Sequence, residues 1–118
     1  MLLGIKRVYD KPELSDGKRI LIDRLWPRGV KKSTSNIDMW LKDVGPSDDL
    51  RRWFSQDPSK WDEFKERYEK ELESNSALEE LRKIASESDV TLIHGSKDER
   101  HNSAAVVASV LGAKQRQD

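Results

Sequence analysis

A chain of 118 residues carries 22 Lys and Arg against 22 Asp and Glu, for a formal net charge of zero. Its 37% charged and 35% hydrophobic residues describe one core under a heavily charged surface. No apolar run approaches the ~20 residues of a membrane span, the N-terminus lacks the basic segment and cleavage site of an export signal, and the absence of cysteine excludes disulfides, zinc–thiolate sites and thiolate nucleophiles. These features point to a single cytoplasmic domain over residues 1–112 with a frayed tail at 113–118, and to no membrane partner.

The charge is unevenly placed. Residues 1–32 hold nine Lys and Arg against four acids, and residues 33–89 hold nine against fifteen. A basic N-terminal third joined to an acidic middle makes opposed faces or ends rather than a uniformly basic nucleic-acid binder. The acidic middle reads as solvated helix surface.

In chain order, Leu2–Tyr9 reads as a strand and Arg19–Trp26 as a second, whose run Ile20-Leu21-Ile22 is the pattern of a strand covered on both faces. The connection between them contains Pro12 and the turn Ser15-Asp16-Gly17. It is shorter than the ~10–12 residues usual for a parallel crossover, so periodicity alone favours a hairpin. Residues 38–43, DMWLKD, fit either a short strand or a helical turn.

Three punctuated helices follow. Pro46-Ser47 opens the first, with Ser47 as cap and Asp48 and Asp49 in the positive first turn. Asp57-Pro58 opens the second, whose Trp61, Phe64, Tyr68 and Leu72 form one stripe. A capping box from Ser76 to Glu79 starts the third, with Leu78, Leu81 and Ala85 inward. Trp53, Trp61 and Phe64 are accordingly expected in the core, away from any ligand. Val90–Ile93 is a further buried strand running into the polar loop 94–102, and a last helix over Ser103–Leu111 closes at Gly112. Strands and helices in this order make an α/β protein.

In an open α/β sheet, ligands sit beyond the carboxyl ends of the strands. Two polar clusters fall there: Asp23, Arg24, Trp26 and Arg28, and then His94, Lys97, Asp98, His101 and Asn102 before a helix whose free N–H groups favour anions. Arginine holds carboxylate or phosphate through its planar fork, and an indole can stack beside it. The competing structural account pairs Asp23 with an arginine and makes Trp26 a plug at the end of the sheet. Two histidines without cysteine are a thin basis for a metal site, and none is expected; no nucleophile elbow or glycine-rich phosphate loop is present.

The runs RVYD, DRLWPRG, WLKDVGPS, LRRWFSQDPSKWDEFKERY and KDERHN follow one another, from about Arg7 to Val110, in an order and spacing that resemble the YeaO-like branch of the family called domain of unknown function 488. The resemblance implies a single-domain Rossmann-like α/β fold, with a small, mostly parallel sheet of about four strands flanked by helices. It thereby implies a short crossover in place of the hairpin. Relatives in other branches carry a Cys-His-Arg run where this chain has Asn102-Ser103-Ala104, and often a cysteine where it has His94. The resemblance implies for them a thiolate at a helix N-terminus, which this chain lacks. It supplies no reaction and no cofactor.

The leading expectation is a pocket for a small anionic, phosphorylated or nucleotide-like ligand. Arg24 and Arg28 would hold the anion, Trp26 would form a stacking wall, and Lys97, His101 and Asn102 would complete the rim. Asp23 would orient an arginine or accept a proton, and in an enzyme Asp23 and His101 would be the acid–base pair. The alternative is a non-catalytic interaction module contacting nucleic acid or an acidic partner through the basic N-terminal third, with tryptophan anchors. The sequence leaves oligomeric state open.

Overall fold

The computed structural model describes residues 2–112 and the backbone of 114–115. The elements are β1 (Leu2–Arg7), β2 (Lys18–Leu21), β3 (Met39–Trp40), α1 (Asp48–Phe54), α2 (Trp61–Glu73), α3 (Ser76–Glu87), β4 (Val90–His94), α4 (Ser103–Val110) and β5 (Lys114–Gln115). All strand pairings are parallel, in the order β3-β2-β4-β1-β5. This is an α/β fold on a parallel sheet. Among the described residues no helix is long and apolar enough to cross a membrane.

The central strand explains the topology. Every residue of β4 is buried, as a strand with neighbours on both edges and cover on both faces requires. Leu92 stands opposite Ile5 on one side and Ile20 on the other. Because β4 occupies the place between β1 and β2, the hairpin that periodicity favours does not form. The connection instead crosses over with a single 3₁₀ turn, Leu14–Asp16. Gly17 ends that turn at φ +63°, where a Cβ would lie 2.4 Å from the Asp89 carbonyl oxygen, so glycine is required there.

The two faces of the sheet are covered differently. Leu3, Ile20, Ile22, Val90 and Leu92 join the residues of all four helices in one core. On the other face, among the described residues, Leu21, Ile93 and Val8 meet no helix; Trp26, Val30, Ile37 and Trp40 from the 26–40 segment pack on them. The helices therefore do not flank the sheet on both sides, and a loop serves as its second layer. Farther along this face lies a charged cluster. Asp16 binds Arg19 at 2.7 Å and Lys6 at 2.9 Å, and its carbonyl accepts the Thr91 hydroxyl at 2.7 Å. Burial pushes the Asp16 carboxyl up, but the hydrogen bonds from Lys6, the Glu13 N–H and Arg19 outweigh it and hold it below its usual range.

Ser47 caps α1 through the Leu50 N–H, as its sequence context predicts. Asp57-Pro58 opens a 3₁₀ turn that runs into α2. The third helix departs from expectation: Asn75, not Ser76, is its cap and accepts the Leu78 N–H. Residues 38–43 contain both of the conformations that the sequence allows, the two-residue β3 and then a 3₁₀ turn at Lys42–Val44. Phe64 is buried, whereas Trp53 and Trp61 are only partly covered and pack against the core from its margin. Gly112 takes φ +69° beyond α4. In the tail expected to fray, Lys114–Gln115 pairs with β1; residues 113 and 116–118 lie outside the described residues.

Candidate functional site

The site grows from two adjacent strand ends. The Ile22 N–H donates to the Ile93 carbonyl at 3.1 Å, so the residues that follow leave the sheet side by side. The next step is a loop-to-loop contact across 72 positions of sequence: the Gly95 N–H donates to Asp23 Oδ2 at 2.8 Å. Asp23, Arg24, Trp26 and Arg28 thus share one cleft of about 940 Å³ with Lys97 and Asn102, at the carboxyl ends of β2 and β4.

Within DRLWPRG each residue has a separate task. Arg24 does not pair with Asp23. Its Nε donates to the Pro46 carbonyl at 2.7 Å and its Nη2 to the Gly45 carbonyl at 2.8 Å, which ties the start of α1 to the end of β2. Trp26 stands edge-on to Trp40 at 5.4 Å and donates its indole N–H to the Val30 carbonyl. Trp26 thus packs on the helix-free face of the sheet, as the structural account has it, and also lines the cleft. Pro27 is buried, and Arg28 is exposed on the rim, its carbonyl accepting the Tyr9 hydroxyl at 3.0 Å. Gly29 supplies φ +79° for the turn.

Asp23 is the unusual group. Burial pushes its carboxyl up to about 6, against the weaker downward pull of the Gly95 N–H. No cation pairs with it among the described residues, and while Oδ2 takes the Gly95 N–H, Oδ1 has no hydrogen-bond partner there. A Cβ at Gly95 would lie 3.3 Å from Oδ2, so the glycine keeps the approach to this carboxylate open.

The histidines exchange places with respect to expectation. His101 is not among the residues lining the cleft: its Nδ1 is 2.9 Å from Asp98 Oδ2, and its ring meets Trp61 edge-on at 5.1 Å. His94 shares the cleft with Asp23. It is buried, and burial together with the Arg7 charge pushes it down to about 4. Its Nδ1 accepts the Ser96 N–H at 3.1 Å, so the neutral ring carries its proton on Nε2. Asp98 is held down at about 2, first by the N–H groups of His101 and Arg100 and then by the His101 ring. Asn102 lines the cleft but its amide is committed at both ends. Oδ1 caps α4 through the Ala105 N–H and Nδ2 donates to the Asp98 carbonyl, each at 3.0 Å.

Two cations that the sequence does not single out also line the cleft, Arg51 and Arg52 of α1. Arg51 Nε is buried without a hydrogen-bond partner. Arg51 reaches Asp48 at 3.5 Å and Arg52 reaches Asp49 at 3.9 Å, exposed pairs of the kind that constrain a side chain weakly. The rim between α1 and the β4 loop includes consecutive left-handed residues, Ser55 at φ +47° and Gln56 at φ +59°, held by a 2.8 Å hydrogen bond from the Ser96 hydroxyl to Gln56. Two such non-glycine residues store strain at the edge of the cleft. Among the described residues no group of three or more His, Cys, Asp and Glu is placed to hold a metal ion.

Fold and site together define a small α/β protein with a cation-rimmed cleft at the carboxyl ends of a parallel sheet. The chain belongs to the DUF488 family: the model described as "Inactive DUF488-N3 subclade" matches residues 2–118. It is 41% identical over 112 residues to the uncharacterized protein YeaO of Escherichia coli, covering 94% of this chain and 97% of that one. It is 40% identical over 110 residues to the uncharacterized protein Rv3073c of Mycobacterium tuberculosis, covering 93% of each. No solved structure matches.

Proposed function

We propose that this protein is a non-catalytic binder of a small anionic, phosphorylated ligand. One observation carries the reading: Arg28, Arg51, Arg52 and Lys97 converge on a single cleft, where low-dielectric walls strengthen attraction for an anion. Arg24, expected to hold the anion, instead binds carbonyls with Nε and Nη2; its role in this proposal is to position the α1 cations. The absence of catalysis is supported by the "inactive" description of the subclade, by the commitment of Asn102 to capping α4 and by the place of His101, which pairs with Asp98 and is not among the residues lining the cleft. The interaction-module alternative loses support because the basic third is largely spent internally. Lys6 and Arg19 bind Asp16, Arg7 donates to the Ser96 carbonyl, and Arg24 clamps α1.

Thermal unfolding with and without inorganic phosphate tests the proposal. Phosphate at a hundred times its dissociation constant stabilises a single-site binder by about 2.7 kcal/mol. That gain is expected in the parent and is expected to shrink in both Arg28→Ala and Arg52→Ala. Equal gains in parent and variants would remove the site.

A further inference from the structure

We propose that the cleft is built for a guanine nucleotide, with Asp23 reading the base and the cationic rim holding the phosphate. The inference rests on the anion-binding reading and adds to it the identity of the ligand's other end. A carboxylate is an acceptor only, with about four lone-pair positions, and here one oxygen is engaged by the Gly95 N–H while Oδ1 has no partner among the described residues. Such a group, half-buried beside the cleft and uncovered by any side chain at position 95, has an oxygen free to accept N–H donors from a ligand.

The sign of the surrounding charge decides which donors. Arg28, Arg51, Arg52 and Lys97 share the cleft with Asp23, so an ammonium or guanidinium head would be repelled on its way in. The donors are therefore neutral, and the rest of the ligand is anionic. A nucleobase on a phosphorylated sugar meets both conditions. Guanine alone among the common bases offers two adjacent donors, N1–H and the exocyclic amino group, which match the two oxygens of a carboxylate. Adenine and cytosine offer one donor beside a ring nitrogen lone pair, which would face the second oxygen and repel it. Uracil offers one donor between two carbonyls. The walls suit a flat ring: Pro27, Phe54 and Phe64 line the cleft, Phe64 contrary to its expected place away from any ligand, and its volume of about 940 Å³ falls within the ~300–1,000 Å³ of small-ligand pockets.

The test titrates the full chain at pH 7.5 by calorimetry with guanosine, inosine and adenosine monophosphates and with ribose phosphate. Guanosine monophosphate is expected to bind at least tenfold more tightly than the inosine compound, which differs only by the missing amino group, and more tightly again than the adenosine compound. In Asp23→Asn, whose side-chain oxygen can still accept the Gly95 N–H, that preference is expected to vanish while ribose phosphate still binds, and more tightly than to the parent, because a negative charge has left the cleft. Equal affinity for all four probes in the parent would leave the anion site standing and overturn the base reading. No binding of any probe would overturn both. The comparison of nucleotides in the parent needs no variant, so it holds even where Asp23→Asn folds poorly.

Discussion

Replacing Asp23 by Asn isolates the energetic consequence of half-burying a carboxyl that no cation pairs with among the described residues. The folded-state value near 6, against 3.8 for the ordinary carboxyl, is a difference of roughly two units, or about 3 kcal/mol. The sign follows from proton uptake. Below pH 3.8 Asp23 is protonated in both states and costs nothing; as pH rises toward 6 the unfolded chain ionises first, and above 6 the full cost is present. His94 runs the other way. Its folded value is near 4 against 6.5, so its contribution is intact above pH 6.5 and is lost as pH falls toward 4, again by about 3 kcal/mol. In the parent these two slopes oppose each other over nearly the same window. Asp23→Asn removes one of them: the variant is expected to be about 3 kcal/mol more stable than the parent at pH 7.5 and equal to it below pH 4. Urea unfolding of both proteins at several pH values, with slopes compared to confirm similar exposed surface, measures the difference directly. A stability difference that does not change with pH, or a variant less stable at pH 7.5, would refute the desolvation of Asp23 as the cause of its raised value.

The two arginines of DRLWPRG are expected to separate cleanly. Arg24→Ala loses two charge-assisted hydrogen bonds to the Gly45 and Pro46 carbonyls and should cost about 3 kcal/mol, while Arg28→Ala, exposed on the rim, should change stability by less than ~0.5 kcal/mol; chemical denaturation compares them. Asp16→Ala strands Arg19, which is only 3% exposed, and should cost ~3–5 kcal/mol in the same assay. Trp61→Ala should cost less than the ~3–5 kcal/mol of a fully buried aromatic, because Trp61 sits at the core margin against Phe54, Phe64 and His101. A full-sized loss in urea would place it inside the core.

Features written in local sequence were legible: the Ser47 cap, the stripe of Phe64, Tyr68 and Leu72, the buried run of β4, and the closing turn at Gly112. Each depends on neighbours within a few positions. The insertion of β4 between β1 and β2 depends on residues ~70 apart, and nothing in the short β1–β2 connection records it. The same gap hid the assignment of His94 rather than His101 to the cleft, since both lie in one polar run and only the direction of the chain after β4 separates them. Arg51 and Arg52, not singled out in the sequence, line the cleft from α1, whose start is tied to the end of β2 by Arg24. Proximity of DRLWPRG to the 94–102 loop was predictable from strand-end geometry. The choice between Trp26 as stacking wall and Trp26 as plug was not, because it turns on a sheet face that no described helix covers.

The most direct test of the cleft is a backbone amide NMR titration with inorganic phosphate at low and at physiological salt. Saturable shifts are predicted at Arg28, Gly95, Ser96 and Lys97, with a midpoint that moves little with salt, as for a ligand held by converging side chains in a partly enclosed site. Non-saturating shifts concentrated instead at the exposed Lys31 and Lys32, and lost as salt rises, would mean that the anion meets only a basic surface and would contradict the cleft as the binding site.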